Sequence, residues 1–339
     1  ACGHNAQCAT LIGVAAAMKE PGALEGMCGS IRFIAVPAEE LIELGYREEL
    51  RKKGIIRYFG GKVEFIYRGY LDGVDMAMMI HSGSLKEGKA LNINAGCNGC
   101  VTKNILFKGV SAHAGGAPEK GVNALYAATC GLNAVNAIRE TFVDDEHIRF
   151  HPIITEAGLA VNAIPEAAKV ESYVRGASYD SIYRYNKKVN LALAGAAASI
   201  GCRLELNDRP GYFPLNNDPN MSDVVAAAME AVAGPDSVER TDVWGTGCTD
   251  MGDVSAIMPA VHPHASGAVG TGHGCDYYIQ DKELACVRPA QCLAVAADML
   301  LSGGGELAKK VIAEAKPCFK SKEEYLAAID RLEMSQEAV

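Results

Sequence analysis

The chain has 339 residues, 49% of them hydrophobic, and a formal net charge of −9. That length allows one large or two ordinary domains with real cores. The acidic balance and the lack of a long basic cluster argue against a nucleic-acid partner, because phosphate binding needs a positive surface. The apolar stretch Leu191 to Ile200 is mostly alanine and falls well short of the roughly 20 residues that a membrane span needs, so it is expected to be buried helix and no membrane association is expected. The twelve cysteines have no regular spacing. Such usage fits reduced thiols in a cytoplasmic protein better than a disulfide framework. No signal-peptide pattern is visible.

In chain order, residues 6–19 predict an Ala-rich helix. Residues 31–36 are mostly apolar, as a buried parallel strand should be. Helical periodicity covers 38–53, and 74–80 predicts a second buried strand, so the opening rhythm is α/β. Residues 102–110 predict a strand, 119–140 a helix, 148–156 and 168–175 strands, 179–200 a long helix and 202–206 a strand. The turn-rich run Asn207-Asp-Arg-Pro-Gly211 follows. The order β-α-β-β-α-β is the split, ferredoxin-like motif. Helices are then expected at 218–232, 282–302 and 321–332, a strand at 254–261 and a Gly- and His-rich loop at 262–274. The expected architecture is a discontinuous, mixed-sheet α/β domain, residues 1–100 and 213–339, interrupted by an inserted domain of residues 101–212.

Candidate metal ligands stand where these strands should end. Glu39 and Glu40 close the first strand, His81 closes the second, Cys2 and His4 precede the first helix, and His273 lies in the Gly-rich loop. Ligands gather outside the carboxyl ends of strands in open α/β sheets. Thiolate, imidazole and carboxylate are the groups that hold zinc or manganese. Each signal has a plainer alternative. Paired glutamates often sit at a solvated helix start, where they suit the macrodipole, and a lone histidine is more often satisfied within the fold than a ligand. Together the residues supply the ligand count of a two-metal hydrolase, in which one glutamate binds metal and its neighbour takes a proton from the attacking water. The pair Cys97 and Cys100 has no second pair at zinc-ribbon spacing and reads as two thiols in a connection. His262 and His264 are either near the site or exposed, Asp250 and Asp253 either orient the site or cap a junction, and Trp244 lines a pocket or belongs to a core.

Five segments carry a resemblance: Ala1-Cys-Gly-His-Asn, Val36-Pro-Ala-Glu-Glu, Ser111-Ala-His-Ala-Gly, Val161-Asn-Ala-Ile-Pro-Glu and Gly247-Cys-Thr-Asp-Met-Gly-Asp-Val-Ser. Together, and in this order, they resemble the M20 metallopeptidase and amidohydrolase family, closest to the branch of aminobenzoyl-glutamate hydrolases and M20 domain-containing dipeptidases. The resemblance implies that Cys2, His4, Glu40, His81 and His273 hold two divalent ions, zinc or manganese, and that Glu39 is the catalytic base. It implies that His113 reaches across a homodimer, formed through the inserted lid domain, to polarise the scissile carbonyl. Asn162 and Arg175 would hold the substrate's carboxylate end. The implied substrate is a small N-acyl amino acid or dipeptide-like amide. The sequence departs from many branch members at Asn5, Ala6 and Gln7, where those carry an acidic residue and a histidine. Members also carry on the order of a hundred residues before the Cys-Gly-His motif, about the size of a small domain. The alternative is therefore a truncated, inactive homologue serving as a binding or dimerisation subunit.

Overall fold

The computed structural model describes residues 2–338. Helix α1 (His4–Ala17) buries Ala6, Thr10 and Val14, one face of a helix. Helices α2 (Leu44–Lys52) and α3 (Gly61–Tyr67) come next. Four short strands follow, β1 (Ala77–Met78), β2 (His81–Ser82), β3 (Leu91–Ile93) and β4 (Gly96–Cys97), and then the long β5 (Gly99–Lys108). Helix α4 (Ala124–Ile138) starts at Asn123, whose side chain accepts the Tyr126 backbone N–H. Strands β6 (Arg149–Phe150), β7 (Ile153–Glu156) and β8 (Ala167–Gly176) lead to α5 (Tyr179–Ile200). A reciprocal Ser178–Ser181 capping box opens α5, and Gly201 closes it in the left-handed conformation.

Strands β9 (Arg203–Tyr212) and β10 (Leu215–Asn216) precede α6 (Pro219–Ala233), which Asp218 caps. Then come β11 (Val238–Arg240), β12 (Trp244–Gly245), α7 (Met251–Ser255), β13 (Ala260–Val261), β14 (His264–Ala265), β15 (Ala268–Val269) and β16 (Tyr278–Ile279). A π-helical turn, Glu283–Val287, runs into α8 (Arg288–Leu301). The chain finishes with α9 (Glu306–Glu314), α10 (Lys322–Asp330) and β17 (Met334–Ala338).

Strands β17-β9-β5-β8-β6 form an antiparallel sheet in that order, with β7 also paired to β8. Helices α4 and α5 share a core with it, through Phe107, Ala127, Val135, Val189 and Leu193 among others. Within this layer Lys103 is fully buried. Its ammonium donates to Asp208, Asn186 and Asn190, while both asparagine amides donate to the other Asp208 oxygen. The rest of the molecule is built on short strands in the orders β11-β3-β14-β2, β10-β4-β12 and β1-β13. Helices α6 and α8 and the strands β3 and β14 supply a second core, in which Leu91, Met221, Val225 and Ala265 are buried. This is a mixed α/β fold, as expected.

Several elements differ from expectation. Residues 31–36 form no strand, and Arg32, Phe33 and Ala35 are exposed. Among the described residues no strand runs beside them, and an apolar run without a ladder partner stays irregular. Helical periodicity at 38–53 is realised only in α2, because Glu43 adopts φ 53 and interrupts the chain there. The expected turn at 207–211 is instead the continuation of β9. A register shift between Cys100 and Val101 absorbs Pro210. The expected strand at 254–261 begins as the end of α7, where Met251 and Val254 are buried at helical spacing, and only Ala260–Val261 is strand. Helix α3, helix α9 and strand β17 were not legible. Among the described residues the stretch Glu283–Leu301, rather than Leu191–Ile200, is the one long and apolar enough to cross a membrane by composition. In this fold Ala290, Cys292, Ala296 and Leu300 of that stretch are buried in the cores.

Candidate metal centre

Gly3 allows the site to form. It adopts φ +94, and a Cβ there would lie 2.1 Å from Ser82 Oγ and 2.8 Å from Tyr277 Oη. The chain can therefore press against β2, which brings Cys2 Sγ to 3.5 Å from His81 Nε2. His81 Nδ1 lies 2.6 Å from the Ser82 carbonyl. Nδ1 is thus the protonated nitrogen, and the Nε2 lone pair faces Cys2. Burial holds His81 below its ordinary pKa, so it is a neutral imidazole at physiological pH. Burial, followed by the charges of Glu40 and Glu39, pushes the Cys2 thiol up to about 11.

His4, on the first residue of α1, places Nε2 at 3.7 Å from Glu39 Oε2 and 3.8 Å from Glu40 Oε1. His273 Nε2 lies 3.9 Å from Glu40 Oε1. His273 has φ 63, which a non-glycine residue seldom adopts. Donor atoms fall into three overlapping groups, Cys2–His4–His81, Cys2–Glu40–His273 and His4–Glu39–Glu40, each within 4.8 Å. Tetrahedral donors around one zinc ion stand about 3.5 Å apart, given bonds of about 2.0–2.3 Å. The donor set and its spacing therefore fit one or two divalent cations. All five residues expected as ligands converge here, and Glu39 stands beside them.

Glu39 is fixed from below. Gly61, at the start of α3, packs under the loop so closely that a Cβ would lie 2.6 Å from the Ala38 carbonyl oxygen. The next residue, Lys62, donates its backbone N–H to Asp250 Oδ2 and its ammonium to Oδ1. Burial, then the charge of Asp250, pushes the Glu39 carboxyl up to about 7, against the pull of Lys62.

The pattern of the peptidase family M20/M25/M40 matches residues 1–294. The chain belongs to this family. It is 29% identical over 306 residues to the human Xaa-Arg dipeptidase, covering 88% of this M20 chain and 65% of that protein. It is 30% identical over 274 residues to one subunit of the p-aminobenzoyl-glutamate hydrolase of Escherichia coli K12, covering 78% of this chain and 55% of the other. The M20 chain thus spans less than two thirds of the length of these relatives. Among solved structures, the aminobenzoyl-glutamate utilization protein of Klebsiella pneumoniae superposes with a TM-score of 0.62 at 22% identity, covering 85% of this chain and 66% of that one. A dinuclear metal-binding M20 peptidase of Bacillus subtilis gives 0.61 at 20% identity, covering 88% and 72%. These two show a shared fold.

Three expected site residues of the M20 chain are outside the metal cluster. His113 is exposed at a tip where Ala114 N–H donates to the Asn162 carbonyl at 2.9 Å, so His113 and Asn162 sit together. The Gly115 and Gly116 N–H groups donate to His113 Nδ1 at 3.2 and 2.9 Å. A neutral His113 must then carry its proton on Nε2, aimed outward as a donor. Arg175, on β8, rests over the Tyr173 ring at 5.4 Å, and its buried Nε has no hydrogen-bond partner among the described residues.

Other residues near the centre gave weaker sequence signals. His262 and His264 are not exposed loop residues. Their rings lie 5.9 and 5.4 Å from His81, and burial keeps both neutral, His264 at about 4. Asp253 accepts the Tyr325 hydroxyl at 2.6 Å and the Phe213 N–H at 2.9 Å, a structural role. Trp244 donates to Asn98 Oδ1 at 2.9 Å, which ties it to the scaffold. Cys100 is buried at the start of β5. Lys62 had no signal beyond its two preceding glycines.

Proposed function

We propose that this chain is a metal-dependent amidohydrolase that cleaves the amide of N-acyl amino acids or dipeptide-like substrates bearing a free carboxylate. The observation that carries this reading is the half-buried Glu39 carboxylate, poised near neutrality against a complete donor set of Cys2, His4, Glu40, His81 and His273. The named activities of the human and bacterial relatives, dipeptide and aminobenzoyl-glutamate hydrolysis, support the substrate class. Those five residues would hold two divalent ions, zinc or manganese. When bound, the ions supply Lewis-acid polarisation of the carbonyl and acidify water.

Glu39 takes a proton as the water oxygen forms its bond to the amide carbon. It returns that proton to the nitrogen as the C–N bond breaks. His81 stays neutral, so it competes for no proton. The Nε2–H of His113 suits stabilisation of the developing oxyanion. His113 and Asn162 lie together on an exposed tip away from the metal cluster. We assign them to the site of a partner copy, in a homodimer formed through the 101–212 unit, which serves as a ferredoxin-like lid. Arg175, with a free Nε, is assigned to the substrate carboxylate. The free thiols suit a cytoplasmic location.

The test is hydrolysis of aminobenzoyl-glutamate, N-acetyl amino acids and dipeptides with added manganese or zinc, with Glu39→Gln run beside the wild type. Turnover by the wild type that is lost in Glu39→Gln is the expected result. No turnover with either metal would favour a binding subunit.

A further inference from the structure

Residues 39–42 have no strand beside them among the described residues, yet four successive carbonyls are occupied by side chains. The Tyr212 hydroxyl donates to the Glu39 carbonyl, and Arg47 donates through Nη2 to that of Glu40. The Tyr173 hydroxyl donates to the Leu41 carbonyl, and Arg47 Nε donates to that of Ile42 at 2.9 Å. Arg47 Nη1 reaches on to the Phe59 carbonyl. Leu41 and Leu44 are buried beside Tyr212, Phe59 and Cys100, which seats the segment from its apolar side.

We propose that Arg47, Tyr173 and Tyr212 are positioning residues that clamp the Glu39–Glu40 backbone and so set the ligand geometry of the metal centre. The consequence for metal rests on the hydrolase reading above; the clamp itself does not. Tyr173 is on β8 and Tyr212 ends β9, the two strands that flank β5. They pair with Thr102 and Cys100 near the start of β5, so both hydroxyls leave one end of the same sheet. Any movement of that sheet is therefore passed to the base and its neighbouring ligand through two hydrogen bonds. A peptide carbonyl without a ladder partner otherwise exchanges between waters, and the side chain beside it loses its fixed direction. Groups that orient metal ligands are worth about 10–100-fold in metal affinity.

The experiment compares the wild type, the double variant Tyr173→Phe/Tyr212→Phe and a control, Tyr179→Phe. The control loses a similar bond, from Tyr179 to the Ala328 carbonyl at 2.7 Å, which holds α10 and not the 39–42 segment. Manganese affinity is read by calorimetry, and backbone hydrogen exchange is read across residues 39–43. We expect the double variant to bind manganese about 10–100-fold more weakly and to exchange faster at 39–43, with the control unchanged on both. Wild-type affinity and exchange in the folded double variant overturn the proposal, as does an equal loss in the control. If the double variant does not fold, Tyr173→Phe alone is read in the same way. If the wild type takes up neither manganese nor zinc, the hydrolase reading fails. Exchange at 39–43 then decides the clamp by itself: acceleration supports it and no change overturns it.

Discussion

Cys2 Sγ stands 3.5 Å from His81 Nε2 across 79 positions of sequence. In the metal-free protein the thiol holds its proton, because burial and the two neighbouring glutamates push it up to about 11. A thiolate ligand must lose that proton on metal uptake. Zinc binding is therefore expected to release protons and to tighten as pH rises through the neutral range. Calorimetry in buffers of different ionisation enthalpy measures the release. Cys2→Ser should reduce both the affinity and the proton count, and an unchanged proton count would remove Cys2 from the ligand set.

Glu39→Gln keeps shape and removes the proposed base. Turnover should fall by about 10²–10⁴-fold, the usual contribution of a positioned acid–base group. Metal content by elemental analysis should stay at the wild-type level. Loss of metal together with turnover would make Glu39 a ligand first and a base second.

The Glu39 carboxyl also predicts a pH dependence of stability. Its pKa rises from 4.5 to about 7 on folding, chiefly through burial. The fold thus favours the protonated form. That contribution is fully present below about pH 4.5 and is lost as pH rises through about 7. Metal-free wild type should lose melting temperature relative to Glu39→Gln between about pH 5 and about pH 8. Parallel melting curves for the two proteins across that range would contradict the shift.

His113 has its Nδ1 occupied by two backbone N–H groups and lies outside the metal cluster. If it serves a partner's site, His113→Ala and Glu39→Gln chains, each nearly inactive, should complement on mixing. Random re-pairing of the two gives one intact site in half of the dimers, or about a quarter of wild-type activity. No recovery after verified exchange of protomers would place His113 in its own chain's site or outside catalysis.

Asp208 neutralises a lysine with no access to solvent, with two asparagines completing its shell. Asp208→Ala leaves Lys103 buried and unpaired and should cost about 3–5 kcal/mol. Replacing both, as Lys103→Met/Asp208→Leu, should recover much of that loss, since a buried pair is often no more stabilising than apolar residues of similar volume. Chemical denaturation of the two variants distinguishes the cases.

Much of the six-stranded sheet and its helices was legible because their signals are local. Helix α5 matches the expected 179–200, since its cap residues and apolar spacing lie within its own sequence. The same reasoning failed at 31–36, where strand character depends on a neighbour, and at Pro210, where a bulge overrode the turn signal. Strand β17 was invisible because Met334–Ala338 has no alternation of its own and is ordered by pairing with Leu204–Asp208. The candidate metal ligands were legible as residue types at the ends of apolar runs and in a Gly-rich loop, together with their resemblance to one family. Lys62, Arg47, Tyr173 and Tyr212 were not, since a side chain that serves a distant carbonyl or carboxylate leaves no periodic trace.

The sequence alone determined which groups could bind a cation: a thiol, imidazoles and paired carboxylates at the ends of apolar runs, with glycines where the backbone must come close. Only the tertiary structure decided that these groups meet within a few ångströms, that Glu39 is half-buried beside the Lys62–Asp250 pair, and that its carbonyl is held from β9. Local propensity is set by neighbours along the chain. Ligand convergence and pKa are set by contacts across it, through packing, desolvation and hydrogen bonds between residues far apart in sequence.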